Sequence, residues 1–271
     1  MDDLALTAEL HLDCVRGGGC CHGHRIQVTP WEIACLARAK GMPVIAFRDR
    51  HTTDGATFLL ADGALDHRGL IGCGLFRDGV GCTVHAARPL ACRMYPLGRR
   101  LIDGRAIYHH PGAQHGCYGI CPDIETRPPR VVGEWLAEQG IHRGEIAHDA
   151  YGRLANGLLR QAVALIPDHQ GRVDLVVEMR RRATLAPGVR AALFSSFWYN
   201  LVTAPPIDQV VDEPETFVYA HAERLLSAVA DGMAGKESSA APLLATIGMQ
   251  LALVVGTRPE DVLTAIVILA A

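Results

Sequence analysis

"CVRGGGCCHGHRIQVTPWEI", residues 14–33, sets three cysteines and a run of three glycines directly ahead of a helix start. Its first half is turn chemistry. Gly17, Gly18 and Gly19 let the backbone approach closely and present N–H groups to sulfur. Its second half is helix chemistry: Thr29 can cap, Pro30 suits the first helical position, and Glu32 completes a T-x-x-E capping box. The stretch predicts a short helix through "TPWEIACLARAKGM", ended by Gly41, next to a cysteine-bearing turn.

Downstream, Asp-Gly pairs recur at Asp54-Gly55, Asp62-Gly63, Asp78-Gly79 and Asp103-Gly104. Each is a turn signal, and the runs "TFLLADGALDH", "CGLFRDGVGCTVH" and "RRLIDGRAIYHH" predict short hairpins. Beyond residue 122 the composition changes. Apolar residues recur at helical spacing in "GEWLAEQGIHRGEIAHDAYGRLANGLLRQAVALI", "VRAALFSSFWYNLV", "PETFVYAHAERLLSAVADGM" and "APLLATIGMQLALVV", broken by Pro167, Pro187 and Pro205-Pro206. The expectation is an α+β protein: a small loop-rich cysteine-cluster domain with short β-hairpins and a capped helix over 1–129, then an α-helical domain of five or six helices over 130–271. "CPDIETRPPR" supplies the connector.

Apolar residues make up 49% of the 271-residue chain and charged residues 20%, an ordinary globular balance. The net charge of -3 lacks the basic footprint that phosphate backbones select, so nucleic acid is not expected as a partner. The start, "MDDLALTAELHLDC", has neither a basic region nor an apolar run of the secretory kind. The apolar tail is interrupted by Thr257, Arg258, Glu260 and Asp261 before it reaches membrane-spanning length. The expected location is therefore the cytoplasm, with no membrane partner.

All nine cysteines, at 14, 20, 21, 35, 73, 82, 92, 117 and 121, precede residue 122. An odd count in a reducing compartment disfavours a disulfide framework and favours metal or catalysis. Cys35, inside the expected helix, reads as a small buried apolar residue. The other eight lie on turns: Cys14, Cys20 and Cys21; Cys73, Cys82 and Cys92; Cys117 and Cys121. A metal needs ligands from several directions within a small sphere, and turns deliver them. A loop-rich half with little regular core also needs a metal or cross-link for stability.

Structural zinc sites typically pair cysteines with two to four residues between them, and of these thiols Cys117 and Cys121 alone have that spacing. An all-thiolate, irregularly spaced set beside a glycine run favours an iron-sulfur cluster, [4Fe-4S] first, with zinc as the alternative. His22, His24, His85, His109, His110 and His115 can replace a thiolate or support one. Arg88 and Arg93 flank Cys92 and can offset thiolate charge; they also admit a reactive Cys92 as a minor reading. No catalytic residue is assigned.

"CVRGGGCC" followed by "QVTPWEI", then "CGLFRDGVGCTVHAARPLACRMYP" and "CYGICP", resembles the YkgJ-type cysteine-cluster family, the zinc- or iron-chelating CxxCxxCC proteins. The likeness spans Cys14 to Pro122. It implies cluster positions at Cys14, Cys20, Cys21, Cys73, Cys82, Cys92 and Cys121, and accompanying motif positions at Arg88, Pro89, Arg93, Tyr95 and Pro96. Gly17 stands where the family often has a further cysteine, which Cys117 or a histidine can replace. The family is distantly similar to flagellin lysine N-methylases, which implies S-adenosylmethionine as a second cofactor, served by Arg88, Arg93 and Tyr95. This chain has no convincing adenosylmethionine loop. The expected function is a metal-binding protein whose helical domain docks a protein partner or a second copy. A protein lysine N-methyltransferase and a metal storage or delivery protein are the alternatives.

Overall fold

The structure, a computed structural model, describes residues 3–13, 18–102, 105–110, 126–207, 210–232 and 237–270. It is of the α+β class. Among the described residues the helices are α1 (Pro30–Ala39), α2 (Val44–His51), α3 (Leu90–Met94), α4 (Val132–Glu138), α5 (His142–Ala164), α6 (His169–Ala183), α7 (Pro187–Ala191), α8 (Ser196–Thr203), α9 (Pro214–Gly232), α10 (Glu237–Val254) and α11 (Pro259–Ala270). The strands are short and form two-stranded pairs.

The chain folds as two units, one of residues 1–26 and 59–145, the other of 27–58 and 146–271. This division differs from the single boundary expected at 129/130, and packing explains both departures. The capped helix forms as its sequence dictates: Glu32 N–H donates to Thr29 Oγ1 at 3.2 Å, and Thr29 N–H donates to the Glu32 carboxylate at 2.8 Å. Yet α1 buries Trp31, Ile33, Ala34, Leu36 and Ala37, more apolar surface than a loop-rich unit can cover. It joins the helical unit instead. There the Trp31 indole donates to the Val211 carbonyl at 2.9 Å, and Arg38 forms a two-pronged ion pair with Asp212.

Residues 130–145 go the other way. Arg130–Val131 pairs antiparallel with Glu9–Leu10. Val132, Trp135, Leu136 and Ile141 then bury with Leu12, Leu90, Met94 and Leu97 in a small core of the first unit. Each such side chain contributes about 1.5–3 kcal/mol, which ties α4 to the cysteine-bearing loops. Gly140, at φ +65°, separates α4 from α5 within what the apolar spacing suggested was one run.

Two of the three hairpins form where expected. Phe76–Arg77 pairs with Gly81–Cys82 around Asp78-Gly79, with Gly79 at φ +73°. Gly98–Ile102 pairs with Arg105–His109, and the Asp103-Gly104 turn itself lies outside the described residues. The third, over residues 57–67, forms differently. Phe58–Leu59 pairs with Thr52–Thr53, across Asp54-Gly55, and Leu65 bridges Ile71 across a turn at 66–69. Asp66 closes that turn because its carboxylate accepts from the N–H groups of Arg68 and Leu70, at 2.8 and 3.0 Å.

From residue 130 on, eight helices are present among the described residues rather than five or six, because the proline and glycine breaks leave short α4, α7 and α8 as separate pieces. The second unit has its own core, in which Tyr151, Leu158, Leu159, Met179, Phe217, Leu225, Leu244 and Ile266 are buried. Within it α6 packs against α10 and α11, and α1 against α9. No helix among the described residues is long and apolar enough to cross a membrane.

Candidate metal centre

Cys20 and Cys21 sit on a single 3₁₀ turn, Gly19–Cys21, whose shape depends on Gly18. Gly18 has φ +79°, and a Cβ there would lie 2.5 Å from the Phe76 ring. Glycine is therefore required twice, by conformation and by space. His22 Nδ1 donates to the Gly18 carbonyl at 2.8 Å, and its buried ring meets Phe76 edge-on at 5.1 Å. That histidine is a brace for the turn.

The second group of thiols is built around this turn. The Cys73 N–H donates to the Cys21 carbonyl at 2.7 Å, holding residue 73 beside the cysteine pair. Cys82 lies opposite Phe76 in the antiparallel pair, and Cys92 sits in the middle of α3. Cys20, Cys21, Cys73, Cys82 and Cys92 all line one cavity of about 70 Å³. At roughly 10–15 Å³ of such space for a water molecule, this exceeds a packing defect. Leu75, Phe76, Val84 and Trp135 form its apolar walls.

The thiols feel one another. A hydrogen bond with Cys20 pushes the Cys21 thiol far up, helped by burial and by the nearby sulfurs of Cys20, Cys92 and Cys82. Burial raises Cys73, opposed by the Leu75 N–H donating to its sulfur and reinforced by Cys82. Crowded sulfurs in an apolar cavity hold their protons unless a cation compensates. None of the six described cysteines is in a disulfide.

The motif arginines act as clamps. Arg93 Nε donates to the Arg88 carbonyl at 2.8 Å, Nη1 to the Gln139 carbonyl at 2.7 Å, and Nη2 to the Ala86 carbonyl. Arg88 Nε donates to the His85 carbonyl at 3.0 Å, and its Nη2 to Gln139 Oε1 at 3.2 Å. Both line the cavity, as does Tyr95. Tyr95 Oη lies 3.1 Å from His24 Nε2.

Five thiols, Arg88, Arg93, Tyr95 and His85 come together around the cavity. Cys14, Cys117, Cys121 and His115 lie outside the described residues. Cys35 packs against the core of the helical unit, in keeping with its reading as an apolar residue. His22 and His24 serve Gly18 and Tyr95, while the His109 ring packs against Gly98. Reading the sequence missed Trp135 and Gln139, because α4 was assigned to the other domain and no spacing signal links it to the cysteines.

Among the described residues no three or more His, Cys, Asp or Glu side chains are drawn as close as ligands of one ion. Four thiolates on a single zinc, at about 2.3 Å each, would stand about 3.8 Å apart. The five cysteines line one cavity, with the Cys20 and Cys21 thiols in hydrogen-bond contact. Their chemistry is that of a thiophilic site.

No known protein family, curated protein or solved structure matches the chain.

Proposed function

We propose that the first unit holds an iron-sulfur cluster, [4Fe-4S] before zinc, through Cys20, Cys21, Cys73, Cys82 and Cys92, with Cys14, Cys117 and Cys121 completing the thiol set. The observation that carries this reading is the convergence of five thiols on one cavity of about 70 Å³. The resemblance of the motif run to the YkgJ-type cysteine-cluster family points the same way. A cluster at this position supplies one-electron exchange when bound; zinc supplies cross-linking alone.

The chain's own residues do the rest. Gly18 and His22 shape the turn that presents Cys20 and Cys21. The Leu75 N–H donates to the Cys73 sulfur, an interaction that favours thiolate over thiol. Arg93 and Arg88 bind α3 to the end of α4 and so set where Cys92 stands.

Anaerobic purification followed by iron, zinc and sulfide counts per chain tests the proposal. Matching iron and sulfide with visible thiolate-to-iron absorption is the expected outcome. Zinc without sulfide moves the centre to the alternative metal. A folded chain with no metal refutes the proposal.

A further inference from the structure

Resting on that reading of the cavity, we infer that the indole N–H of Trp135 donates a hydrogen bond to a sulfur anion of the metal-thiolate centre. Trp135 is 2% exposed, stands on α4, and lines the same cavity as the five thiols. Its Nε1–H has no hydrogen-bond partner. A buried indole N–H ordinarily finds one. Trp31, the other buried indole, does so at Val211.

The walls of the cavity explain the vacancy in hydrogen bonding. Leu75, Phe76 and Val84 offer no side-chain acceptor, and guanidinium groups are donors only. The Gln139 side-chain oxygen accepts from Arg88, and the Asp13 carboxylate is ion-paired with Arg127. Tyr95 and His85 also line the cavity, and the Tyr95 hydroxyl is engaged with His24; the thiols, as S–H groups, are weak acceptors. Metal binding converts them to thiolates, which are strong ones. A strong acceptor beside Trp135 would arrive with the centre.

Packing makes the donor rigid. Val132 and Leu136 on the same helix are buried in the core that also holds Leu12, Leu90 and Met94. The indole is held in that core beside the cavity and cannot swing out to water. Trp135 is therefore a positioning residue: it selects the deprotonated sulfur, secures the metal and raises the reduction potential of a cluster held there.

The full chain with ¹⁵N-labelled indoles, prepared anaerobically, tests this with Zn²⁺ alone as a diamagnetic probe. Three tryptophans make assignment direct, through Trp135→Phe, Trp31→Phe and Trp198→Phe. The expected result is a downfield shift of the Trp135 N–H signal on loading, with slower exchange against water, while the Trp31 signal stays in place. Trp135→Phe is expected to bind Zn²⁺ about 10–100-fold more weakly in competition with a chelator, and a cluster in it to have a more negative midpoint. An unmoved Trp135 signal in a chain that has taken up Zn²⁺ overturns this inference and leaves the metal site standing. A chain that takes up no metal at all overturns both. Should Trp135→Phe fail to fold, the wild-type indole shift, assigned by elimination, still decides.

Discussion

The Cys73 N–H donates to the Cys21 carbonyl at 2.7 Å, so that two cysteines far apart in the chain share one backbone hydrogen bond. The bond joins the glycine-rich turn to the loop ahead of the 76–82 hairpin. Four of the five cavity thiols, Cys20, Cys21, Cys73 and Cys82, depend on that junction; Cys92 is brought in separately by α3.

Replacing Cys20, Cys21, Cys73, Cys82 or Cys92 with serine weakens metal retention on the order of tenfold or more, as expected for groups at the centre. Cys35→Ser leaves it unchanged, because Cys35 packs in the helical unit. Metal per chain after anaerobic gel filtration reads both. Equal loss from Cys35→Ser and Cys21→Ser would contradict the assignment.

Gly18→Ala destabilises the first unit by about 2–4 kcal/mol, combining a left-handed φ that favours glycine with a Cβ forced against Phe76. Adding Phe76→Leu recovers the crowding share and leaves about 1 kcal/mol of conformational cost. Chemical denaturation of the single and double variants measures the split.

Arg93→Lys costs about 2–3 kcal/mol, little better than Arg93→Ala. A lysine cannot reach the carbonyls of Ala86, Arg88 and Gln139 from one planar group. If the arginine served only to offset thiolate charge, lysine would suffice and the melting temperature would hold.

Acid weakens the second unit through His221. Its ring is fully buried between the Tyr151 hydroxyl, 2.9 Å from Nδ1, and the Leu201 carbonyl, 2.8 Å from Nε2. Burial depresses its pKa to about 4. The unfolded state therefore binds the proton first, and stability falls as pH drops from about 6.5 towards 4, by about 1.4 kcal/mol per unit. Above 6.5 this contribution is flat. His221→Gln should lose that slope relative to wild type in denaturation at stepped pH; an identical slope would assign it to other groups.

Much of the local structure was legible. The Thr29–Glu32 capping box, Pro30 at the helix start and two of the Asp-Gly hairpins follow from side-chain hydrogen bonding and φ preferences that act over four or five residues. The third hairpin was not, since Asp54-Gly55, Asp62-Gly63 and the Asp66 turn compete within a dozen residues. Which wins depends on where Phe58 and Ile71 find partners. Five of the cysteines were legible as a group because spacing and composition both concern identity. The clamping role of Arg93 was not, because its acceptors are backbone carbonyls that any residue carries.

By itself the sequence determined the helix cap, the turn at Gly18, the helical character of the later segments and five thiols that line one cavity. Only the tertiary structure decided that α1 leaves the cysteine-bearing half for the helical core, that α4 returns to it, and that Trp135 lines the same cavity as five thiols. The reason is that local signals act through the backbone within a turn or two. The choice of unit depends on which apolar surfaces, distant in sequence, can cover one another. In "CVRGGGCCHGHRIQVTPWEI" the boundary between the two units falls after Ile26, between a turn that its glycines define and a helix that its cap defines.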